Sequence, residues 1–203
     1  MRLILVIILC IYDLNISAQS KSNLKIANKY ANSKQCDKAN EIYKTLETKV
    51  NILSYYSNYL KCLIADGQYN TALALVKKVK KKYPNQAKYI ADLGFIYKAK
   101  GDKIRAEKEW NKSIDAIESG RINQVNSLAN SFSRNKEYNY LLKTYERGQA
   151  VNPNYEFGFQ LANALSSAGK TEQMIETYLD LIEKKESNLN TVKIRLQNCG
   201  NFN

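Results

Sequence analysis

The feature that most constrains the fold of this chain is a pattern that occurs five times at spacings of 33 to 35 residues. Each occurrence begins at a small or apolar residue, which we call its anchor. The residues three, twelve and sixteen positions after the anchor are aromatic, aliphatic or small in every case. Such periodicity is typical of repeat proteins, in which each repeat is one supersecondary unit and stacked neighbours bury a continuous core. The five anchors are Ala27, Leu60, Gly94, Ala129 and Ala162.

Gly94 lies inside a segment, residues 89–114, that otherwise has the pattern of a helix, a turn and a second helix. A glycine in a helix interior costs about 1 kcal/mol relative to alanine. Gly94 pairs by position with Ala106, twelve residues later, and in all five repeats at least one member of this pair is small. Because close packing limits the side-chain volume at a contact, the pattern predicts that two helices cross closely at this pair. Trp110 is expected to close the same interface one turn later.

These residues resemble the tetratricopeptide repeat (TPR) family over roughly residues 22–185. The family repeats a helix–turn–helix of about 34 residues with the signature W-x2-L-G-x2-Y, A-x3-F and P. The resemblance implies an all-α, right-handed superhelical solenoid of about five repeats plus a C-terminal helix. The expected repeats lie near residues 22–50, 52–84, 86–118, 122–153 and 155–185, with a last helix at 188–199.

Turn residues within each repeat divide it into two predicted helices. Glycine follows the first helix in three repeats, at Gly67, Gly101 and Gly169, and glycine is favoured where a helix stops. The first helices are expected near 22–34, 52–66, 86–100, 122–134 and 155–168. The second helices are expected near 37–49, 69–82, 103–117, 138–150 and 171–185.

The first 18 residues have the layout of a secretory signal peptide. Arg2 precedes an apolar run from Leu3 to Tyr12, and small residues follow at Ser17 and Ala18. Ten apolar residues are too few to span a bilayer, which needs about 20. We therefore expect residues 1–18 to be a signal peptide, residues 19–203 to form the solenoid, and no membrane span to remain after cleavage. A lipid anchor at Cys10 is a minor alternative.

The stretches MIETYLDLIEKK and TVKIRLQN, together with the signal, also resemble the N-terminal part of exported envelope TPR proteins from Bacteroidota. This resemblance implies a location in the periplasm or cell envelope of a Gram-negative bacterium.

Residue content argues against catalysis. The chain has no histidine, which removes the commonest general base and most zinc sites. No phosphate-binding glycine loop, paired-carboxylate motif or metal-ligand cluster is apparent, so we expect no catalytic residue, no metal and no cofactor. The net charge is +12, but the run KKVKKK at residues 77–82 lacks interleaved aromatic residues. We read it as a solvated helix end and expect no nucleic-acid partner.

Three cysteines follow the signal: Cys36, Cys62 and Cys199. An odd number leaves at least one thiol unpaired in an exported protein. The sequence favours free, largely buried thiols, and a Cys36–Cys62 bridge stays an open alternative because chain separation does not establish the geometry that a disulfide needs.

The inner groove of a TPR solenoid is formed mainly by first helices, and in this family it usually holds an extended peptide or a partner helix. Carried through the repeat, the resemblance places nine residues there: Asn28, Asn58, Lys61, Lys88, Phe95, Lys98, Asn130, Arg134 and Asn163. One TPR subfamily clamps a C-terminal carboxylate, and Asn28, Asn58 and Lys88 match three of its five positions. Leu24 and Asp92 occupy the other two, and because an aspartate would repel a carboxylate, we reject the clamp.

The sequence thus favours a non-catalytic protein–protein interaction scaffold that binds a peptide or partner protein in the groove, with a preference for acidic or neutral polar partners. Self-association or a larger envelope assembly stays open. The alternative is a binder of an acidic envelope polymer, such as lipopolysaccharide, through the basic surface.

Overall fold

The computed structural model of the protein describes residues 18–200, with side chains described through residue 197. The predicted signal peptide therefore lies, apart from Ala18, outside the described residues. Over the described range all regular secondary structure is helical. The helices are α1 (18–32), α2 (Cys36–Leu46), α3 (Tyr56–Ala65), α4 (Tyr69–Lys82), α5 (Ala87–Ala99), α6 (Lys103–Asp115), α7 (Ile122–Arg134), α8 (Tyr138–Val151), α9 (Gly158–Ser167), α10 (Thr171–Lys184) and α11 (Leu189–Gly200).

The helices form five helix–turn–helix pairs followed by α11, which confirms the predicted all-α repeat fold. Each predicted helix is present within a few residues of its expected ends. At α3 the start is shifted by four residues, to Tyr56, because a short 3₁₀ turn, Ile52–Ser54, precedes it. Asn51 caps this turn by accepting a hydrogen bond from the backbone N–H of Leu53, at 3.1 Å.

By packing, the chain divides into two compact units. The first contains the residues up to Pro84 together with Ile96–Asp102, and the second contains Asn85–Phe95 together with the residues from Lys103 onward. The core of the first unit is rich in tyrosine, with Tyr43, Tyr55 and Tyr59 all at most 2 % exposed. The rings of Tyr43 and Tyr55 stack in parallel, with centroids 5.5 Å apart.

In the second unit an aromatic cluster joins the helix pairs α5–α6 and α7–α8. Phe95, Trp110 and Phe132 are buried, and their ring centroids lie 5.4 to 6.2 Å apart. The ring of Tyr140 contacts Trp110 at a centroid distance of 4.9 Å. Farther along the chain, α9 and α10 enclose Ala162, Tyr178 and Leu181, each at most 2 % exposed.

The anchor pairs occupy the predicted core positions. All anchors and all residues twelve positions later are buried, including the large members Leu141 and Met174 opposite alanines. At Gly94, a Cβ atom would lie 2.9 Å from the carbonyl oxygen of Ala106 and would overlap the indole ring of Trp110. The close helix crossing that the glycine predicted is therefore present, and Trp110 closes it.

Introducing a side chain at this crossing should destabilise the protein. We expect Gly94→Leu to reduce the free energy of unfolding by about 1–3 kcal/mol, because the backbone of Ala106 and the indole of Trp110 must both move. The urea midpoint followed by circular dichroism measures the change. A midpoint equal to that of the wild type would contradict the close-approach explanation.

The turn between the two helices has the same geometry in all five repeats. The backbone N–H eight positions after each anchor donates to the carbonyl three positions after it, at 2.8 to 3.0 Å, which is the hydrogen bond of a Schellman motif. The residue seven positions after the anchor adopts a positive φ of 58° to 82° in every repeat. These residues are Lys34, Gly67, Gly101, Lys136 and Gly169.

Two repeats therefore place a lysine in a left-handed conformation that favours glycine. We expect Lys136→Gly to raise the free energy of unfolding by about 0.5–1 kcal/mol, because the substitution removes the steric penalty at φ 58°. Lys170→Gly serves as the control in a turn of the same type: Lys170 has φ −93°, so glycine there should destabilise. Urea denaturation of both variants checks the prediction, and a loss of stability in Lys136→Gly would contradict it.

The cysteines depart from the favoured prediction. Cys36 at the start of α2 and Cys62 in α3 form a disulfide, with their Cα atoms 4.8 Å apart. The prediction that these two residues are free thiols is wrong, because the helix pairing brings residues 26 positions apart into bonding range. The side chain of Cys199 lies outside the described residues.

Candidate partner-binding surface

The nine predicted groove residues differ in exposure. Lys61, Lys98, Asn130, Arg134 and Asn163 are exposed, and Asn28, Asn58 and Lys88 are half-buried. Phe95 is only 8 % exposed and packs against the rings of Trp110 and Phe132. The structure thus places Phe95 in the aromatic core of the second unit, where it fills volume between helices, instead of on an open surface.

Two of the predicted residues are joined to each other in the first unit. Asn28 Oδ1 accepts hydrogen bonds from the hydroxyl of Tyr43, at 2.7 Å, and from Asn58 Nδ2, at 2.9 Å. This arrangement links α1, α2 and α3 through a single amide oxygen. It leaves the Nδ2 group of Asn28 and the Oδ1 atom of Asn58 as the donor and acceptor that this pair offers to a ligand.

Tyr43 is the buried residue that orients this amide pair. Burial raises its pKa to about 12, and the neighbouring Asn58 amide acts more weakly in the opposite direction. Burial also raises the pKa of Tyr55 to about 12 and, with the nearby Glu47 carboxylate, raises that of Tyr59. The three phenols therefore stay protonated near neutral pH, and Tyr43 remains a hydrogen-bond donor to Asn28.

In the second unit, Asn130 and Arg134 are exposed on α7 and lie one turn apart, so they share one face of the helix. An amide and a guanidinium are therefore exposed side by side on α7. Lys61 on α3 and Lys98 at the end of α5 are exposed cations of the first unit. Lys88 lies with its ammonium 5.5 Å from the centroid of the Tyr89 ring.

Asn163 is in contact with a residue that the sequence analysis did not single out. Arg195 of α11 donates from its guanidinium to Asn163 Oδ1 at 3.0 Å, and it lies 4.9 Å from the centroid of the Phe159 ring. The carbonyl of Asn163 is thus used to hold the last helix against α9. Arg195 follows Asn163 by 32 residues, and this near-repeat spacing is the signal that could have identified the pair.

In each unit these residues present amides and cations, which suit hydrogen bonding and charge pairing. In the range with described side chains, no group of three or more Cys, Asp or Glu residues is placed to hold a metal ion. Across the described helices, none is long and apolar enough to cross a membrane.

Comparison with known proteins gives matches in fold only. No family model matches the chain, and no curated protein matches it in sequence. Among solved structures, it is similar to BtubC (BKLC) from P. vanneervenii, with a TM-score of 0.44, 14 % identity, and coverage of 87 % of this chain and 83 % of that one. It is also similar to a Podosopora anserina protein described as a kinesin light chain with nearly identical TPR-like repeats, with a TM-score of 0.44, 15 % identity, and coverage of 86 % and 98 %. By its own helix pairs and turns, the chain has a fold of TPR-like helix–turn–helix repeats.

Proposed function

We propose that this protein is an exported, non-catalytic scaffold that binds a peptide or a partner protein through the polar residues of its first helices. We call these residues the polar row and define it as Asn28, Asn58, Lys61, Lys88, Lys98, Asn130, Arg134 and Asn163. Phe95 is omitted because it belongs to the core.

The observation that carries the proposal is the recurrence of polar side chains at one position of the repeat. The residue directly after the anchor is Asn28, Lys61, Asn130 or Asn163 in four of the five repeats, and it is exposed or half-buried in each. Amide groups donate and accept hydrogen bonds to an extended backbone without selecting its sequence. The neighbouring cations favour acidic or neutral polar partners, and Asp92 and Glu156 moderate their field, so we expect micromolar affinity.

Export is supported by two further observations. The first 18 residues have the layout of a signal peptide. The Cys36–Cys62 disulfide is of a type that persists mainly in oxidising compartments, such as the bacterial periplasm. Fractionation of a host that expresses the full chain should place it outside the cytoplasm, with a new N-terminus near Gln19. A cytoplasmic product that retains Met1 would contradict export.

The polar row can be tested with a charge-matched pair of variants. Lys61→Ala/Arg134→Ala removes two exposed cations from the row, whereas Lys77→Ala/Lys81→Ala removes two exposed cations from α4. Each protein is immobilised, used to capture ligands from envelope extract, and then titrated with the captured partner. We expect the row variant to weaken binding at least tenfold and the α4 variant to weaken it less than twofold, because only the first pair contacts the ligand.

Helicity measured by circular dichroism must remain unchanged in both variants. If the α4 variant loses binding while the row variant retains it, the assignment of the binding surface to the row is wrong.

The alternative function is binding of an acidic envelope polymer, and the net charge of +12 supports it. Such binding would weaken steeply as salt increases and would respond equally to loss of either pair of cations. Titration with purified lipopolysaccharide at two salt concentrations therefore distinguishes the two functions.

A further inference from the structure

The first unit contains an acidic cleft of about 680 Å³, within the size range of ligand sites. The cleft is lined by residues of α2, by Tyr59 of α3 and by residues at the turn into α4. Four carboxylates line it, from Asp37, Glu41, Glu47 and Asp66, against the single amine of Lys44. This local excess of negative charge is opposite in sign to the net charge of the chain.

Within the described part of the chain, three of these carboxylates form no ion pair. Glu47 forms an ion pair with Lys78, at 3.0 Å between Nζ and Oε2. Among the residues whose side chains are described, none forms an ion pair with Asp37, Glu41 or Asp66. The chain has 31 lysines and arginines, yet those whose side chains are described leave these three carboxylates without an ion pair.

A buried amide in the cleft lining also lacks a partner. Asn40 is 6 % exposed, and its Nδ2 donates to Asp66 Oδ2 at 2.6 Å. Its Oδ1 atom is closed from solvent and accepts no hydrogen bond, which is an unfavourable state for a buried polar atom. In the cleft lining, the Oδ1 atom of Asn40 therefore lacks a hydrogen-bond donor, and the four carboxylates outnumber the single amine of Lys44.

We propose that this cleft binds a basic segment of a protein partner, through arginine or lysine side chains that enter between Asp37, Glu41 and Asp66. Guanidinium and ammonium groups supply both the positive charge and the N–H donors that the cleft lacks. A single metal ion does not satisfy the arrangement, because these carboxylates are not grouped closely enough to share one. The site rests on the proposed scaffold function for the existence of a protein partner, but it is separate from the polar row and of opposite charge.

The test uses a fluorescein-labelled hexapeptide of alternating glycine and arginine, a glycine–glutamate peptide of equal length, and spermine as a competitor. Binding is measured by fluorescence polarisation at low and physiological salt. The arginine peptide should bind the wild-type chain, and the glutamate peptide should not bind at the cleft. If spermine displaces the arginine peptide at an equal concentration, the assignment to a peptide segment is overturned.

The repeat provides a matched control. Asp37→Asn/Glu41→Gln removes two exposed carboxylates ten and fourteen residues after the anchor Ala27. Glu172→Gln/Glu176→Gln removes two exposed carboxylates at the same positions after Ala162. We expect the cleft variant to weaken binding of the arginine peptide at least tenfold and the control to weaken it less than twofold. Equal losses in both variants, or no binding by the wild type, would overturn the proposal.

A variant that should bind more tightly distinguishes loss of the binding site from loss of folding, because an unfolded protein would not gain affinity. Lys44→Gln removes the only amine among the cleft residues and should tighten binding of the arginine peptide about threefold. A weaker interaction in Lys44→Gln would contradict the proposal. The variant Lys61→Ala/Arg134→Ala should leave binding of this peptide unchanged, so failure of the polar row and failure of the cleft give different results.

Discussion

Replacing Trp110 with alanine should lower the free energy of unfolding by about 3–5 kcal/mol, a loss typical of removing a large aromatic side chain from a core. Trp110 is 3 % exposed, and its ring contacts those of Phe95 and Tyr140 at centroid distances of 5.4 and 4.9 Å. It also covers the close helix crossing at Gly94. Urea denaturation followed by far-ultraviolet circular dichroism measures the effect, because Trp110 is the only tryptophan of the chain and its fluorescence is lost.

The matched control is Trp110→Phe, which retains an aromatic ring in the cluster. We expect it to lose less than half as much stability as Trp110→Ala. A loss of under about 1 kcal/mol in the alanine variant would mean that the cluster does not hold the second unit together in solution.

Reducing the Cys36–Cys62 disulfide should lower the free energy of unfolding by about 3 kcal/mol. The bridge joins residues 26 positions apart, and cross-links of this loop length restrict the unfolded chain by roughly that amount. Cys62 is fully buried, so the chain should be reduced in denaturant and refolded with and without reductant before urea midpoints are compared.

The double variant Cys36→Ala/Cys62→Ala separates the bridge from other effects of the reductant. Its midpoint should be the same in both conditions and should lie near that of the reduced wild type. A wild-type midpoint that does not change with reductant would contradict a stabilising bridge.

The sequence alone determined the repeat, because each repeat must satisfy the same packing constraint. One small residue in each anchor pair is required for close helix contact, and this requirement appears as a spacing of 33 to 35 residues. Gly94 and Trp110 could be assigned to one interface for that reason. Helix bounds followed from the same spacing together with the turn glycines.

The tertiary structure decided features that depend on where side chains of distant residues meet. Phe95 occupies the same repeat position as Asn130, so its place in the core became evident only from its contacts with Trp110 and Phe132. The left-handed backbone conformation of Lys136 was not predicted either. The connection between the two flanking helices imposes that conformation whatever residue occupies the position, so the residue type does not reveal it.

The candidate sites, too, could be predicted from the sequence only in part. Polar residues of the first helices could be listed from the repeat, but the hydrogen bond from Tyr43 to Asn28 and the contact of Arg195 with Asn163 could not. The acidic cleft could not be predicted from the sequence either. Asp37 and Asp66 lie 29 positions apart, and each stands in a sequence pattern that is ordinary for a helix surface. The repeat spacing specifies which residues face the shared core. Contacts between surface side chains depend instead on how far those side chains reach between neighbouring helices, and only the folded structure determines this.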